Sequence, residues 1–247
     1  MKVIEFGKEN DLTVILLHGG GLSWWNYKDV AEILSNKYHV VIPFLNGHAY
    51  SESDFTTIEA TAIEICEYIQ DRFGGKVFAI GGLSLGGQIL VEMLSSNPDI
   101  CEFAIIESTL VIPMRFTNWL ISPMITISYW LIKKSWFANL QFKQLHIKSD
   151  LFDLYYNDTC KIKKENLIAF LKSNSSYRLK SSIRTSNAKA VIAVGEKEEY
   201  KMKKSAVLLN EKLPKSELII FPKYYHGDLS INHAEKYVEI FELLVRG

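Results

Sequence analysis

The chain has 247 residues, of which 48% are hydrophobic and 23% charged, and its 28 Lys and Arg residues balance its 28 Asp and Glu residues. A chain of this length buries enough apolar surface to fold without disulfides or metal ions. The zero net charge excludes a disordered polyelectrolyte and a protein whose overall basic charge would bind nucleic acid. The three cysteines are widely spaced and form no disulfide or zinc pattern, so we expect neither a metal site nor an organic cofactor.

The apolar runs of the sequence are too short to cross a bilayer, which requires about 20 residues. The most apolar run, residues 119–132, is interrupted by serine, threonine and proline. The first residues lack the apolar stretch and small-residue cleavage site of a signal peptide. We therefore expect a cytoplasmic protein without integral membrane association.

Short β-branched runs alternate with longer stretches of helical periodicity along most of the chain. Strands are predicted at residues 3–6, 13–17, 39–43, 77–81, 103–107, 190–194 and 217–221. Helices are predicted between them at residues 25–34, 57–73, 88–95, 201–212 and 234–245. This alternation predicts an α/β fold with a mostly parallel sheet flanked by helices.

Residues 111–188 interrupt the alternation because they contain no convincing strand. Helices are predicted here at residues 116–134, 150–156, 163–173 and 175–186. The segment has 12 basic and 4 acidic residues, whereas the rest of the chain has 16 basic and 24 acidic residues. We expect residues 1–110 and 189–247 to form the core domain and residues 111–188 to form a helical cap, or lid, inserted before the last two strands.

The composition of this segment allows several interpretations. Ten aromatic residues lie between Phe116 and Tyr156, and they either line an apolar site or pack the interior of the cap itself. The basic excess either attracts an anionic substrate, contacts an anionic membrane or forms a solvated surface.

The most specific motif is the G-x-S-x-G sequence from Gly82 to Gly86, which follows an apolar strand and opens a helix. In this context the serine lies on a strained turn that holds its hydroxyl above the sheet, so Ser84 is the predicted nucleophile. The Leu85 amide at the helix N-terminus is a predicted oxyanion donor. A phosphate-binding loop is disfavoured because no lysine follows and the G-x-G-x-x-G spacing is absent.

A second motif, His18-Gly19-Gly20-Gly21, directly follows the strand at residues 13–17. A glycine loop in this position supplies another oxyanion-hole amide, because glycines let the backbone approach a substrate closely. Gly20 is the first candidate for this donor and Gly21 the second. We expect His18 to orient the loop, together with Gly19, and not to transfer protons.

The predicted general base is His226, which follows the last predicted strand and precedes Gly227. A serine hydroxyl needs such a base before it becomes an effective nucleophile. His39, His146 and His233 lie in less suitable positions. His48 lies in a loop after a strand and is a weaker candidate for a residue that borders the site; the simpler interpretation, that it has no role there, is favoured.

The base in turn needs a carboxylate to orient it, and the expected chain order is serine, acid, histidine. Three glutamates follow the strand at residues 190–194. Of these, Glu198 is the first choice for the acid and Glu196 the second. Glu107, at the end of the strand at residues 103–107, is a further candidate.

These motifs together resemble the α/β-hydrolase superfamily, and in particular its esterase- and lipase-like serine hydrolases with a helical cap. The likeness covers nearly the whole chain: the His18-Gly19 loop, the Gly82–Gly86 elbow, the acid loop at residues 195–198 and His226-Gly227. The sequence departs from the family pattern at residues 44–51, where the family's D-x-x-G-H-G-x-S segment reads F-L-N-G-H-A-Y-S, and in having Glu where Asp is the commoner acid.

The resemblance implies a serine hydrolase that cleaves a carboxylic ester or related small acyl substrate through an acyl-enzyme intermediate. The same residues are used by acyltransferases and C–C bond hydrolases, and a non-catalytic ligand receptor on this scaffold is a further alternative. The motifs do not specify the substrate, because one fold supports many chemistries.

Overall fold

The computed structural model describes residues 1–246, which contain one seven-stranded sheet with strand order β1-β3-β2-β4-β5-β6-β7. The strands are β1 Val3–Phe6, β2 Thr13–Leu17, β3 His39–Pro43, β4 Val77–Leu83, β5 Cys101–Glu107, β6 Lys189–Gly195 and β7 Ser216–Phe221. Only the pairing of β1 with β3 is antiparallel. The mostly parallel α/β sheet predicted from the sequence is confirmed, with every strand within two residues of its predicted bounds.

Ten α-helices and three 3-10 helices connect the strands in residues 1–246. The α-helices are α1 Lys28–Leu34, α2 Ile58–Phe73, α3 Leu85–Ser96, α4 Arg115–Ile132, α5 Ser135–Gln144, α6 Phe152–Thr159, α7 Lys164–Ser176, α8 Tyr200–Lys212, α9 Asp228–Asn232 and α10 Ala234–Arg246. The 3-10 helices are Trp24–Tyr27, Ser149–Leu151 and Ser181–Thr185.

The core has two layers, one on each face of the sheet, because successive strand residues point to opposite faces. In β2, Val14 and Leu16 pack with α1 and α10, whereas Ile15 and Leu17 pack with α2, α3 and α8. All five residues of β2 are buried. A central parallel strand covered on both faces is therefore apolar along its whole length.

Local signals in the sequence fix the ends of α2, the helix that covers one face of the sheet. The Thr57 hydroxyl accepts a hydrogen bond from the Ala60 amide at 3.0 Å, which satisfies a free donor of the first turn. Gly74 ends the helix in the left-handed conformation, with φ of 71°. The predicted helix at residues 57–73 therefore matches the observed one closely.

Helices α4 to α7 all lie between β5 and β6, and residues 111–188 contain no strand. The predicted helix at residues 175–186 is wrong: α7 ends at Ser176, and only a 3-10 turn forms at Ser181–Thr185. The reason is tertiary, since Tyr177 and Lys180 both turn toward the buried carboxylate of Glu92 on α3. Helix α5 was not predicted. No helix within residues 1–246 is long and apolar enough to cross a membrane.

The carboxyl ends of the parallel strands meet at one edge of the sheet, and the candidate residues lie there. His18 follows β2, Ser84 follows β4 and Glu107 ends β5. Glu198 and His226 lie in the loops after β6 and β7. This edge is where open α/β sheets bind ligands, because the loops at the strand ends converge there.

Candidate active site

Ser84 occupies a sharp turn between β4 and α3 with strained backbone angles, φ 54° and ψ −108°. A residue other than glycine seldom adopts such backbone angles unless the surrounding structure holds it there. The Ser84 amide donates to the Glu107 carbonyl at 2.9 Å, and the Ser84 carbonyl accepts from the Gln88 amide at 2.9 Å. A Cβ at Gly82 would clash with the Gly86 backbone, and one at Gly86 would clash with the Leu17 backbone. The turn therefore requires both glycines.

The glycine loop after β2 leaves one amide free. The Gly19 amide donates to Asn26 Oδ1 at 3.0 Å, and the Gly21 amide donates to His48 Nε2 at 3.0 Å. Within residues 1–246 the Gly20 amide has no hydrogen-bond acceptor, and neither has the Leu85 amide at the start of α3. The geometry therefore leaves Gly20 and Leu85 as available donors, whereas the second candidate, Gly21, is already engaged.

Two neutral histidines hold this loop in place. His18 Nδ1 donates to the Gly19 carbonyl at 3.0 Å, while its Nε2 accepts from the Leu45 amide at 3.2 Å. His48 Nδ1 donates to the Asn46 carbonyl at 3.0 Å. Burial lowers the pKa of His18 to about 3, helped by the nearby His48, and lowers the pKa of His48 to about 4. Both rings therefore serve as fixed hydrogen-bonding groups at neutral pH.

His226 and Glu198 form a direct hydrogen bond, with 2.8 Å between His226 Nδ1 and Glu198 Oε2. Because Nδ1 carries the proton toward the carboxylate, Nε2 of the neutral ring is an unprotonated acceptor. Glu198 is buried, while 41% of the His226 side chain stays exposed and can reach a substrate. The arrangement is the acid–base pair that a serine nucleophile requires.

The two partners of this pair shift each other's pKa in opposite directions. Burial alone would raise the pKa of Glu198, but the His226 ring, the Gly195 amide and the Ser108 hydroxyl hold it below the usual glutamate value. Desolvation likewise opposes the charged form of His226, but the hydrogen bond and charge of Glu198 outweigh it and raise the pKa of the imidazole. The pair therefore favours an ionised carboxylate and a strengthened base.

Ser108 links the acid loop to the histidine loop. Its hydroxyl donates to Glu198 Oε1 at 2.7 Å and accepts from the Gly227 amide at 3.3 Å. Glu198 Oε1 also accepts from the Gly195 amide at 2.8 Å. Ser108 itself has φ of 51°, a strained conformation just beyond β5. It is thus a positioning residue that orients both Glu198 and the loop of His226.

The other two glutamates point elsewhere. Glu196 Oε2 accepts from the Lys223 amide at 2.8 Å, on the surface of the acid loop. Glu107 Oε1 accepts from the Ser230 amide at 3.2 Å, and its Oε2 is buried without a partner in residues 1–246. Burial raises the pKa of Glu107 to about 7, so this carboxyl is partly neutral at physiological pH. The structure brings only Glu198 into contact with His226.

Ser84, Gly20 and His226 line one cavity of about 100 Å³, together with apolar side chains that include Leu145 and Ile147. A second cavity of about 330 Å³ adjoins it, since Leu145 and His226 line both. Ser84, His226 and Gly20 thus border a common, largely apolar space.

The chain was compared with known families and solved structures. The family model described as serine aminopeptidase, S33 matches residues 8–230. The chain belongs to this family of α/β hydrolases. The fold resembles that of an esterase from Thermogutta terrifontis, at 16% identity and a TM-score of 0.80, covering 99% of this chain and 93% of the other.

Two further structures share the fold. An enol-lactonase from Burkholderia xenovorans has a TM-score of 0.84 at 14% identity, covering 100% of this α/β hydrolase and 96% of the lactonase. MenH from S. aureus has a TM-score of 0.78 at 18% identity, and the match covers 99% of this chain and 97% of MenH. An esterase and an enol-lactonase thus share one scaffold, so the likeness establishes the fold of the hydrolase and leaves its substrate open.

The sequence analysis missed two residues that shape the site. Ser108 follows the carboxyl end of β5, the same strand-end position that drew attention to the other candidates, and that position is the signal that identifies it. Asn26 also bonds to Ser230 at 3.2 Å, but nothing in its sequence context distinguishes it from other polar residues of a loop.

Proposed function

We propose that this α/β hydrolase is a serine hydrolase that cleaves a carboxylic ester or a related acyl compound through an acyl-enzyme intermediate. The observation that carries the proposal is the hydrogen-bonded His226–Glu198 pair beside Ser84, facing one cavity with the free Gly20 amide. Nucleophile, base, acid and oxyanion donor thus occur at one edge of the sheet. Each is needed for acyl transfer to serine.

In the first step the Ser84 hydroxyl oxygen bonds to the substrate carbonyl carbon while His226 Nε2 takes its proton. The carbonyl electrons move to the oxygen, and the Gly20 and Leu85 amides donate to that oxyanion. Each such donor is worth about 3 kcal/mol in comparable sites. When the carbonyl re-forms, the ester C–O bond breaks and the leaving alkoxide takes the proton from His226.

In the second step water replaces the alcohol. His226 removes a proton from water as its oxygen bonds to the acyl carbon, and the same amides stabilise the second oxyanion. The bond to Ser84 Oγ then breaks, and the serine recovers its proton from His226. Glu198 stays ionised throughout and stabilises the imidazolium that forms in each step.

The two cavities indicate the shape of the substrate. The cavity of about 100 Å³ at Ser84 accommodates a short apolar group, since pockets for drug-sized ligands measure about 300–1,000 Å³. The adjoining cavity of about 330 Å³ is lined by Met114 and Met202 and also by Lys197 and Lys201. We propose that it holds the larger part of the substrate.

We also propose that residues 111–188 act as a lid over the site. Leu145 and Ile147 of this segment line the cavity at Ser84. Phe170 of α7 stacks on His48, with ring centroids 4.7 Å apart and an interplanar angle of 24°. The segment thus supplies apolar walls that exclude water from the reacting groups.

The proposal is tested by labelling the protein with a fluorophosphonate, which reacts with activated serines, and by assaying short-chain and medium-chain esters. Wild type is expected to gain one adduct by intact mass and to release the carboxylic acid. Ser84→Ala is expected to lose both activities while its melting temperature is unchanged. Ser96→Ala, at the far end of α3, is the matched control and should behave as wild type.

Two outcomes would overturn the proposal. A folded wild type that binds ligands but neither reacts with the probe nor turns over esters would be a receptor. An enzyme that passes the acyl group to an added alcohol or thiol in preference to water would be an acyltransferase.

A further inference from the structure

Helix α4 is apolar in sequence, yet half of its residues are exposed. More than half of its 18 residues are apolar or aromatic, but Ile132 is its only buried residue. Five large side chains along the helix are between 60% and 75% exposed: Phe116, Trp119, Met124, Ile127 and Trp130. Their spacing of three to five residues gathers them on one side of the helix. An exposed apolar surface of this extent marks an interaction site.

Polar contacts, alongside the buried Ile132, hold the inward side of α4. Asn118 Nδ2 donates to the Lys172 carbonyl at 2.7 Å and to Ser175 Oγ at 2.8 Å on α7. Tyr129 Oη donates to the Ile162 carbonyl at 2.7 Å. These contacts fix the rotation of the helix, so its apolar side faces outward in the folded protein.

The neighbouring helix α5, which contacts α4, also exposes large apolar side chains. Trp136 and Leu140 are exposed, so three of the five tryptophans of the chain lie exposed on α4 and α5. Tryptophan is favoured at the boundary between water and lipid, where its ring is apolar and its N–H finds a polar partner.

The segment that contains α4 and α5 carries positive charge only. Residues 108–149 contain no acidic residue, whereas Arg115, Lys133, Lys134 and Lys143 are all exposed. Within residues 1–246 these four cations form no salt bridge, although nearby Lys148 pairs with Asp29. The rest of the chain has an acidic excess, so the basic charge is concentrated beside the exposed tryptophans.

The two helices lie next to the candidate site in the chain and in space. Met114, which precedes α4, and Leu145, which follows α5, both line the cavity of about 330 Å³ next to His226. Both ends of the segment formed by α4 and α5 therefore border that cavity.

We infer that the outward surface of α4 and α5 docks on an anionic phospholipid bilayer. An amphipathic helix with exposed tryptophans and flanking lysines binds in the plane of such a surface through apolar burial and attraction to anionic lipid. A second copy of the chain is a poorer partner, because a symmetric dimer would place the same cations opposite one another. Given the proposed function, docking brings the cavity beside Ser84 to the membrane, where apolar esters accumulate.

The test is co-flotation of the full chain with vesicles of phosphatidylcholine containing 30% phosphatidylserine, compared with vesicles of phosphatidylcholine alone. The protein is expected to float with the anionic vesicles, with a blue shift of tryptophan emission, and to bind the neutral vesicles much less. The Lys133→Glu/Lys134→Glu variant is expected to lower partitioning by roughly tenfold or more. Ile127→Ser is expected to lower it as well, while both variants keep the wild-type melting temperature.

Matched controls come from other faces of the protein. Ile63→Ser changes an exposed isoleucine of α2, and Lys189→Glu/Lys215→Glu reverses two exposed lysines at the amino ends of β6 and β7. Both should bind vesicles as wild type does. The inference is overturned if wild type floats with neither vesicle, or if the control variants lose binding equally.

A concentration-dependent dimer in light scattering that Ile127→Ser abolishes would also overturn it, because the surface would then join two copies. Failure of docking is distinguishable from failure of the proposed function, since flotation of Ser84→Ala requires no catalysis and fluorophosphonate labelling requires no membrane.

Discussion

Helices α3 and α4 are both rich in apolar residues, but they occupy opposite environments. Eleven residues of α3 are buried between Leu85 and Ser95, where the helix packs on the sheet and carries the Ser84 turn at its start. In α4 only Ile132 is buried, although this helix is longer. Apolar composition alone therefore does not tell which helix belongs to the core.

The difference separates two uses of apolar surface. In α3 it positions the turn at Ser84, because close packing allows few alternative positions for that turn. In α4 much of it stays exposed, and we propose above that a membrane covers it. The hydrolase thus combines a closely packed candidate site at the edge of the sheet with a helical segment whose outward side chains are exposed within residues 1–246.

The largest expected effect lies in the closely packed region, where the buried carboxylate of Glu198 is hydrogen-bonded to His226, the proposed base. Glu198→Gln is expected to lower kcat on a soluble ester by about 10⁴-fold, because the histidine loses the partner that sets its tautomer and stabilises its charge. Glu107→Gln and Glu196→Gln are the matched controls and should retain most of the wild-type kcat. A greater loss in Glu107→Gln than in Glu198→Gln would show that the acid is misassigned.

A smaller effect is expected on the free energy of unfolding, where matched substitutions in α3 and α4 can be compared directly. Ile89 of α3 is fully buried and Ile127 of α4 is 75% exposed. Ile89→Ala is expected to lower the free energy of unfolding by about 2–5 kcal/mol, since it leaves a cavity in the core. Ile127→Ala should change it by less than about 0.5 kcal/mol. Urea denaturation measures both values, and equal losses would mean that α4 is covered in solution.

The smallest expected effect is a shift in the pH dependence of kcat/KM. Because Glu198 raises the pKa of His226 and the base must be unprotonated, kcat/KM is expected to rise with pH through a midpoint above the ordinary histidine value of 6.5. In Glu198→Gln the NMR titration of the His226 ring should move to lower pH, since the charge that favoured the imidazolium is gone. A midpoint at or below 6.5 in wild type would contradict the raised pKa.

The strands were predictable because they are short apolar runs between turn residues, and in the five inner strands, β2 to β6, burial on both faces of the sheet demands that pattern. Helix α5 was not predictable in this way, because it buries only Ala138 and Phe142 and has neither a capping side chain nor an acidic residue in its first turn. The helix predicted at residues 175–186 failed because Glu92, distant in the sequence, draws Tyr177 and Lys180 toward α3. Local sequence carries no record of such contacts.

The α/β fold and the places of Ser84, the glycine loop and His226 could be predicted from the sequence, because they depend on local turns at strand ends. Which glutamate meets His226 depends on the folded chain, since three carboxylates lie near the same edge and one alone is aimed at the ring. The tertiary structure also revealed Ser108 and the outward rotation of α4. Both depend on contacts between segments far apart in the chain, where the direction of each side chain is set by packing and not by its neighbours in sequence.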